Sequence, residues 1–561
     1  DGFSFVHQHK TKVMKLVVIV ALFAVAAWAQ PTPNPPPNAL PFTPYTDKVT
    51  IESGDLQGIM NASGRYFLGI PYAAPPVGAY RWTAPRPVVP WEGTLQVDAF
   101  GPGCIQDCTL PPLTCPANVS EDCLILDVYT PVNPPTHEHG YPVMVFFPGG
   151  EFLQGGASTV LYDGTAIGNQ TETIVVVINF RLGALGFLSN DNFPGNYGFL
   201  DQQFALQWVQ RNINAFAGAV GDVTIFGQSA GGTSTTAHLI SPQSKDLFQK
   251  AIVESNPVAL NLNTLEQQRS FSATFTKLAG CESDNSHQQT ECLLNLTADE
   301  ITTAQAELMV KGIPLNAPIN IFYPWTPTID GYNLPGQPVN LFPKGAFNHV
   351  PIMIGTVTDE AWMFIWEVQP KPIPSPEYII ILGVLFGDNA DDVFNLYPVS
   401  PLDKDTRPQL NHVITDYLFT CPTRWLIQSA LRSGATTPIY NYQFNHVISY
   451  YEAWGPDYQF CWFDYVCHAS ELPFVFGSPQ IAGFTPTDAE NQLSNDMVRF
   501  WGNFAHSGDP NNGPGFVDGY QWPQYDLDQQ LTANLNLTLG LIPELRSSYC
   551  DYWDGVGYFQ P

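Results

Sequence analysis

The chain has 561 residues, 44% of them hydrophobic and 13% aromatic with 13% charged, a composition that excludes intrinsic disorder and supplies a sizeable core. Its formal net charge of −29 repels nucleic acid and anionic membrane surfaces, so neither is an expected partner. The length exceeds the usual size of one domain, but one large sheet can organise such a chain.

Lys10, Lys12 and Lys15 lead into an apolar run over 16–25, and Ala27-Trp28-Ala29 follows as a small-x-small cleavage pattern. Residues 1–29 therefore read as upstream sequence, with Met14 as the start, and a signal peptide. The expected location is outside the cell or in the secretory lumen. The run is too short to span a membrane, as is the apolar stretch 379–386, and no stable membrane anchor is expected. Residues 30–46 are Pro-rich and read as an extended segment, and 47–561 as one domain. Ten cysteines, an even number, fit an oxidising compartment. Cys104, Cys108, Cys115 and Cys123 have no histidine among them, which favours disulfides over a metal site. Sequons stand at Asn61, Asn118, Asn169, Asn295 and Asn536.

The runs 143–147 and 174–178 are continuously apolar and of strand length, as in a sheet buried on both faces. Residues 201–214 read as a helix, with Phe204, Leu206, Trp208 and Val209 apolar, and 223–226 as the next strand. Alternation of this kind predicts an α/β fold with a largely parallel sheet. The later half mixes helical stretches, such as 409–434, with a strand at 439–444.

Gly227-Gln228-Ser229-Ala230-Gly231 lies between the strand at 223–226 and a predicted helix at 233–239. G-x-S-x-G in that setting is the pattern of a nucleophile elbow, where a tight turn exposes a serine hydroxyl. The expected chain order is then serine, acid, histidine. Glu360 follows a buried-type strand at 350–355 and is a candidate acid, although its place before a helix also suits a capping role. Four later histidines, His412, His446, His468 and His506, are candidate bases. His468 leads, because Cys467 could pin its loop. Oxyanion donors are expected from the backbone of Ala230 and from the turn Pro148-Gly149-Gly150-Glu151-Phe152, chiefly Gly150 and Glu151.

Several motifs carry a resemblance. Phe67-Leu68-Gly69-Ile70-Pro71-Tyr72-Ala73, Ser120-Glu121-Asp122-Cys123-Leu124 and Asn196-Tyr197-Gly198-Phe199-Leu200-Asp201 occur in order before the elbow. Gly355-Thr356-Val357-Thr358-Asp359-Glu360 and His468-Ala469-Ser470-Glu471-Leu472 occur after it. Together they resemble the type-B carboxylesterases, a group that includes cholinesterases, secreted lipases and catalytically silent adhesion proteins. The likeness runs from about Val49 to Trp553. It implies an α/β-hydrolase fold, a triad of Ser229, Glu360 and His468, and no metal or organic cofactor. It also implies the disulfides Cys281–Cys292, Cys421–Cys550 and Cys104–Cys123. That leaves Cys108–Cys115 and Cys461–Cys467 as the pairs that fit best locally. Arg81 and Glu121 resemble the family's buried ion pair.

This sequence departs from the family's pattern in three places. Glu151 replaces the usual third glycine or alanine, and Pro148 replaces a histidine or tyrosine. A carboxylate aimed at a developing oxyanion is unfavourable, so the Glu151 side chain is expected to turn away. Gln228 stands where cholinesterases carry glutamate, and the stretch 109–120 lacks their choline-stacking tryptophan. The expectation is a secreted serine hydrolase acting on small-molecule short-chain carboxylic esters rather than a cholinesterase. Bulky residues Ile321, Phe322, Tyr323 and Trp325 lie in the region that forms the acyl pocket in relatives and are expected either to shorten that pocket or to pack in the core. The alternatives are a lipase, with the 104–123 loop as its lid, and a silent binding protein.

Overall fold

The computed structural model describes residues 48–135, 139–311 and 324–558. The expected signal peptide, the Pro-rich segment and Ile321, Phe322 and Tyr323 lie outside the described residues. The organising element is an 11-stranded sheet. Its strands are β1 (Ile59–Asn61), β2 (Gly64–Pro71), β3 (Ile125–Thr130), β4 (Tyr141–Phe147), β5 (Ile174–Ile178), β6 (Gly218–Gln228), β7 (Lys250–Glu254), β8 (Ile352–Val357), β9 (Ile439–Phe444), β10 (Leu531–Leu535) and β11 (Gly540–Pro543). They lie in the order β11-β10-β9-β8-β7-β6-β4-β5-β3-β2-β1. All neighbours from β10 across to β5 are parallel, and the two edges are antiparallel.

The continuous apolar runs are explained by cover on both sides. Along β4, Val143, Val145 and Phe147 pack into one core while Met144 and Phe146 pack into the other. Along β5, Ile174, Val176 and Ile178 divide in the same way from Val175 and Val177. Alternate side chains leave opposite faces of a strand, so every residue of these strands must be apolar when helices cover both faces.

Strand order reverses about β4, which lies between β5 and β6. A parallel sheet opens a crevice beyond the carboxyl ends of its strands at such a point. The turn after β4 and the elbow after β6 both emerge there.

Some boundaries differ from the sequence expectation. The helix expected at 201–214 is Tyr197–Asn212, entered one turn earlier through Asn196 in a left-handed conformation. The stretch expected as one helix over 409–434 is Arg407–Thr415 and Cys421–Arg432, joined by a π-type widening at Asp416–Thr420. His506, expected in a surface loop, ends the helix Asp488–Ser507 and is half-buried.

The ten cysteines form Cys104–Cys123, Cys108–Cys115, Cys281–Cys292, Cys421–Cys550 and Cys461–Cys467. Cys421–Cys550 spans 129 residues and so removes the most freedom from the unfolded chain. Arg81 meets Glu121 through two bonds of 2.7 Å. The more deeply buried pair is Arg181–Asp201, which the sequence reading did not join. Among the described residues no helix is long and apolar enough to cross a membrane.

Candidate active site

Ser229 sits between β6 and the helix Ala230–Ile240 with φ 59° and ψ −122°. A non-glycine residue held at positive φ is strained, and strain of this kind persists only where the surroundings fix it. Here β7 fixes it, because Ser229 N–H donates to Glu254 O at 3.0 Å. The flanking glycines are required by contact. A Cβ on Gly231 would lie 1.8 Å from Phe147 O, and one on Gly227 would lie 2.4 Å from Gly231 O. The elbow therefore presses against the end of β4.

The turn after β4 is equally tight. Gly150, Glu151 and Phe152 have φ of 114°, 60° and 59°. Phe152 is buried and stacks edge-on against Phe187, which anchors the turn. A Cβ on Gly149 would lie 3.2 Å from Ser229 Cβ, so the turn abuts the serine directly. Among the described residues, the backbone N–H groups of Gly150, Glu151 and Ala230 donate to no protein acceptor. Unengaged donors clustered beside a hydroxyl can hold a negative oxygen.

Glu360 is fully buried after β8. Its Oε1 accepts Val357 N–H at 2.9 Å, and its Oε2 lies 2.5 Å from His468 Nδ1. The carboxyl thus turns to the histidine, and the helix Trp362–Val368 begins without a side-chain cap. The two loops are zipped together. Asp359 N–H donates to Val466 O at 3.1 Å, and Val466 N–H donates to Asp359 Oδ2 at 3.0 Å. Cys461–Cys467 closes the histidine loop from the other side. Phe364 and Phe419 flank the imidazole, with ring centroids 5.2 and 5.4 Å away. Phe419 comes from the π-type widening, which turns it onto the site.

The other histidines are engaged elsewhere or exposed. His446 bonds Glu490 at 3.0 Å, His506 bonds Thr171 O at 2.6 Å, and His412 faces solvent.

One expected contact is not formed. Among the described residues no hydrogen bond joins Ser229 to His468. The partner of His468 Nε2 is the Gln228 side-chain nitrogen, at 3.0 Å.

Buried acids surround the site. Burial pushes Glu254 up to about 8, partly offset by its bond from Trp501. Glu471 is raised well above the usual range by burial, then by the charges of Glu360 and Glu254. Burial, with the charge of Glu367 next, pushes Glu151 up to about 8. Glu367 retains solvent access, yet protein crowds its carboxyl, and desolvation pushes it up to about 7. The Tyr458 hydroxyl, 3.0 Å from Thr109 O, also donates to Glu367 Oε1 at 3.2 Å, which partly offsets that rise.

Of the two readings open for Trp325, acyl pocket or core, the core one holds: it is fully buried and packs edge-on against Phe275. It belongs to the core, where an indole contributes most by burial. Two small pockets lie elsewhere, one beside Cys104 and Arg181 and one beside Arg424 and Asn441.

Residues 46–553 match the model of the carboxylesterase family. The chain belongs to the carboxylesterase family. It is 36% identical over 527 residues to the "Crystal protein" of Dictyostelium discoideum, covering 91% of each chain. It is 34% identical to a medium-chain fatty acyl-CoA hydrolase precursor of Anas platyrhynchos, over 97% of this chain and 96% of that one. The solved structure of a PNB esterase superposes with a TM-score of 0.73 at 32% identity, covering 90% of this chain and 99% of that one. The fold is that of the α/β-hydrolase esterases.

In this carboxylesterase-family chain, sequence reasoning missed Gln228 as a partner of His468, the Phe364–Phe419 clamp and the Glu151–Glu367 pair. Glu151 carried a local signal, an acid in a glycine turn, and Gln228 carried one as a departure from the glutamate of cholinesterases; the Phe364–Phe419 clamp carried none.

Proposed function

We propose that the protein hydrolyses carboxylic esters through an acyl-enzyme on Ser229. The observation that carries this reading is the strained Ser229 beside three unengaged N–H groups, with His468 held by buried Glu360 across the elbow. Ser229 Oγ attacks the ester carbonyl and its proton passes to His468 Nε2. Glu360 accepts the Nδ1–H throughout and balances the imidazolium charge. The N–H groups of Gly150, Glu151 and Ala230 hold the oxyanion, at a few kcal/mol each. The imidazolium protonates the departing alkoxide and the C–O bond breaks. His468 then takes a proton from water, which attacks the acyl carbon and releases the acid. Burial favours the protonated forms of Glu254 and Glu471, so these two acids compete less with Glu360 for the proton of His468.

The substrates are short-chain esters, a reading supported by the depth of Ser229, which is only 6% exposed. The chain acts outside the cell or in the secretory lumen. Five disulfides and the exposed sequon residues Asn118, Asn169 and Asn295 support that setting.

The test is hydrolysis of p-nitrophenyl esters of graded length. Acetate and butyrate are expected to exceed palmitate in kcat/KM by about a hundredfold, since the enclosed serine excludes chain beyond the first few methylenes. A kcat/KM that climbs steadily to palmitate would contradict the short-chain assignment and favour a lipase.

A further inference from the structure

We propose that Gln228 is a positioning residue that latches His468 in the empty site and that bound substrate displaces it. The inference rests on the roles assigned above to Ser229, Glu360 and His468. With its Nδ1 proton directed at Glu360, a neutral imidazole keeps its lone pair at Nε2, where it accepts one donor. The donor in place is the Gln228 amide, 3.0 Å away and buried. The reversed amide would set its carbonyl oxygen against a nitrogen that carries no proton, so the neutral histidine selects this orientation. While the amide holds Nε2, Ser229 Oγ has no base to donate to.

The local structure gives the latch its place. Gln228 is the last residue of β6 and pairs with Glu254 of β7, so its backbone is fixed and only the side chain can swing. A Cβ on Gly149 would lie 3.0 Å from Gln228 Oε1, so glycine there makes room for the amide. The same turn continues into Gly150 and Glu151. A substrate carbonyl seated among the N–H groups of Gly150, Glu151 and Ala230 therefore meets the amide at Gly149. Its displacement frees Nε2 for Ser229. The empty site is held less reactive than the filled one, which discriminates against small electrophiles that do not fill the space.

Gln228→Met tests this by keeping length while removing the donor. The readout is the second-order rate of Ser229 labelling by a small fluorophosphonate, measured across pH with Ser229→Ala as the control. One net hydrogen bond holds the competent pose to a minority, so the variant is expected to label about fivefold faster. Its acid limb is expected at higher pH, because the amide no longer favours the neutral imidazole, and Gln228→Glu should move the limb further. Equal or slower labelling with an unmoved acid limb would overturn the latch alone, since labelling itself upholds the hydrolase reading. No labelling of Ser229 in any variant of the folded protein would overturn both.

Discussion

Glu360→Gln is expected to lower kcat by about ten-thousandfold with KM and thermal stability nearly unchanged. The reason is the direction of two hydrogen bonds. Glu360 Oε1 accepts Val357 N–H at 2.9 Å, while Oε2 faces His468 Nδ1 at 2.5 Å. A glutamine in the same place has one oxygen and one NH2. Val357 can only donate, so the oxygen must face it and the NH2 must face His468. The imidazole then accepts at Nδ1 and carries its proton on Nε2, the wrong tautomer to take a proton from Ser229. Steady-state kinetics on p-nitrophenyl butyrate, with thermal unfolding as the control for folding, check this. A loss of less than tenfold in a folded variant would show that Glu360 does not set the tautomer.

The second large effect concerns the acid in the glycine turn. Glu151, pushed up to about 8, is neutral near pH 7 and ionises as pH rises through that value. Its charge then stands on a residue proposed to offer an N–H to the oxyanion. The expected result is an alkaline limb near pH 8 in kcat/KM, falling by about a hundredfold, the scale on which one oxyanion contact matters. Glu151→Gln should abolish the limb and leave the rate near pH 7 within a few fold. An identical limb in the variant would mean that the carboxylate does not reach the reacting oxygen. Stability has a linked sign. The folded state binds the Glu151 proton more tightly than the unfolded chain, where a glutamate titrates near 4.5, so stability falls as pH rises from about 4.5 to about 8. Glu151→Gln should gain most over the parent protein above pH 8.

The parts legible in the sequence were those whose causes are local. Period-two burial under cover on both faces produces runs such as those of β4 and β5. Gly227 follows from a backbone contact with Gly231 inside the same turn, whereas Gly231 is pressed by Phe147 O of β4, and strand–elbow–helix is a contiguous pattern. The acid and base were harder. Four histidines remained open on their own residues, because what distinguishes His468 is a bridge between Asp359 and Val466, more than a hundred positions apart. Only the likeness to a family supplied that long-range information. The Gln228 contact with His468 crosses 240 positions and depends on side-chain rotation, which no local pattern encodes. Trp325 stayed open between pocket and core because an apolar cluster looks the same whether it lines a cavity or fills a core.

Active-site titration of the purified folded protein with a fluorophosphonate, read by intact mass and by mapping of the modified peptide, tests the central claim most directly. One phosphonyl group per chain is expected, on Ser229, with ester hydrolysis falling in proportion to labelling and no adduct in Ser229→Ala. A folded protein that takes up no label, or hydrolyses esters with Ser229 replaced by alanine, would contradict it.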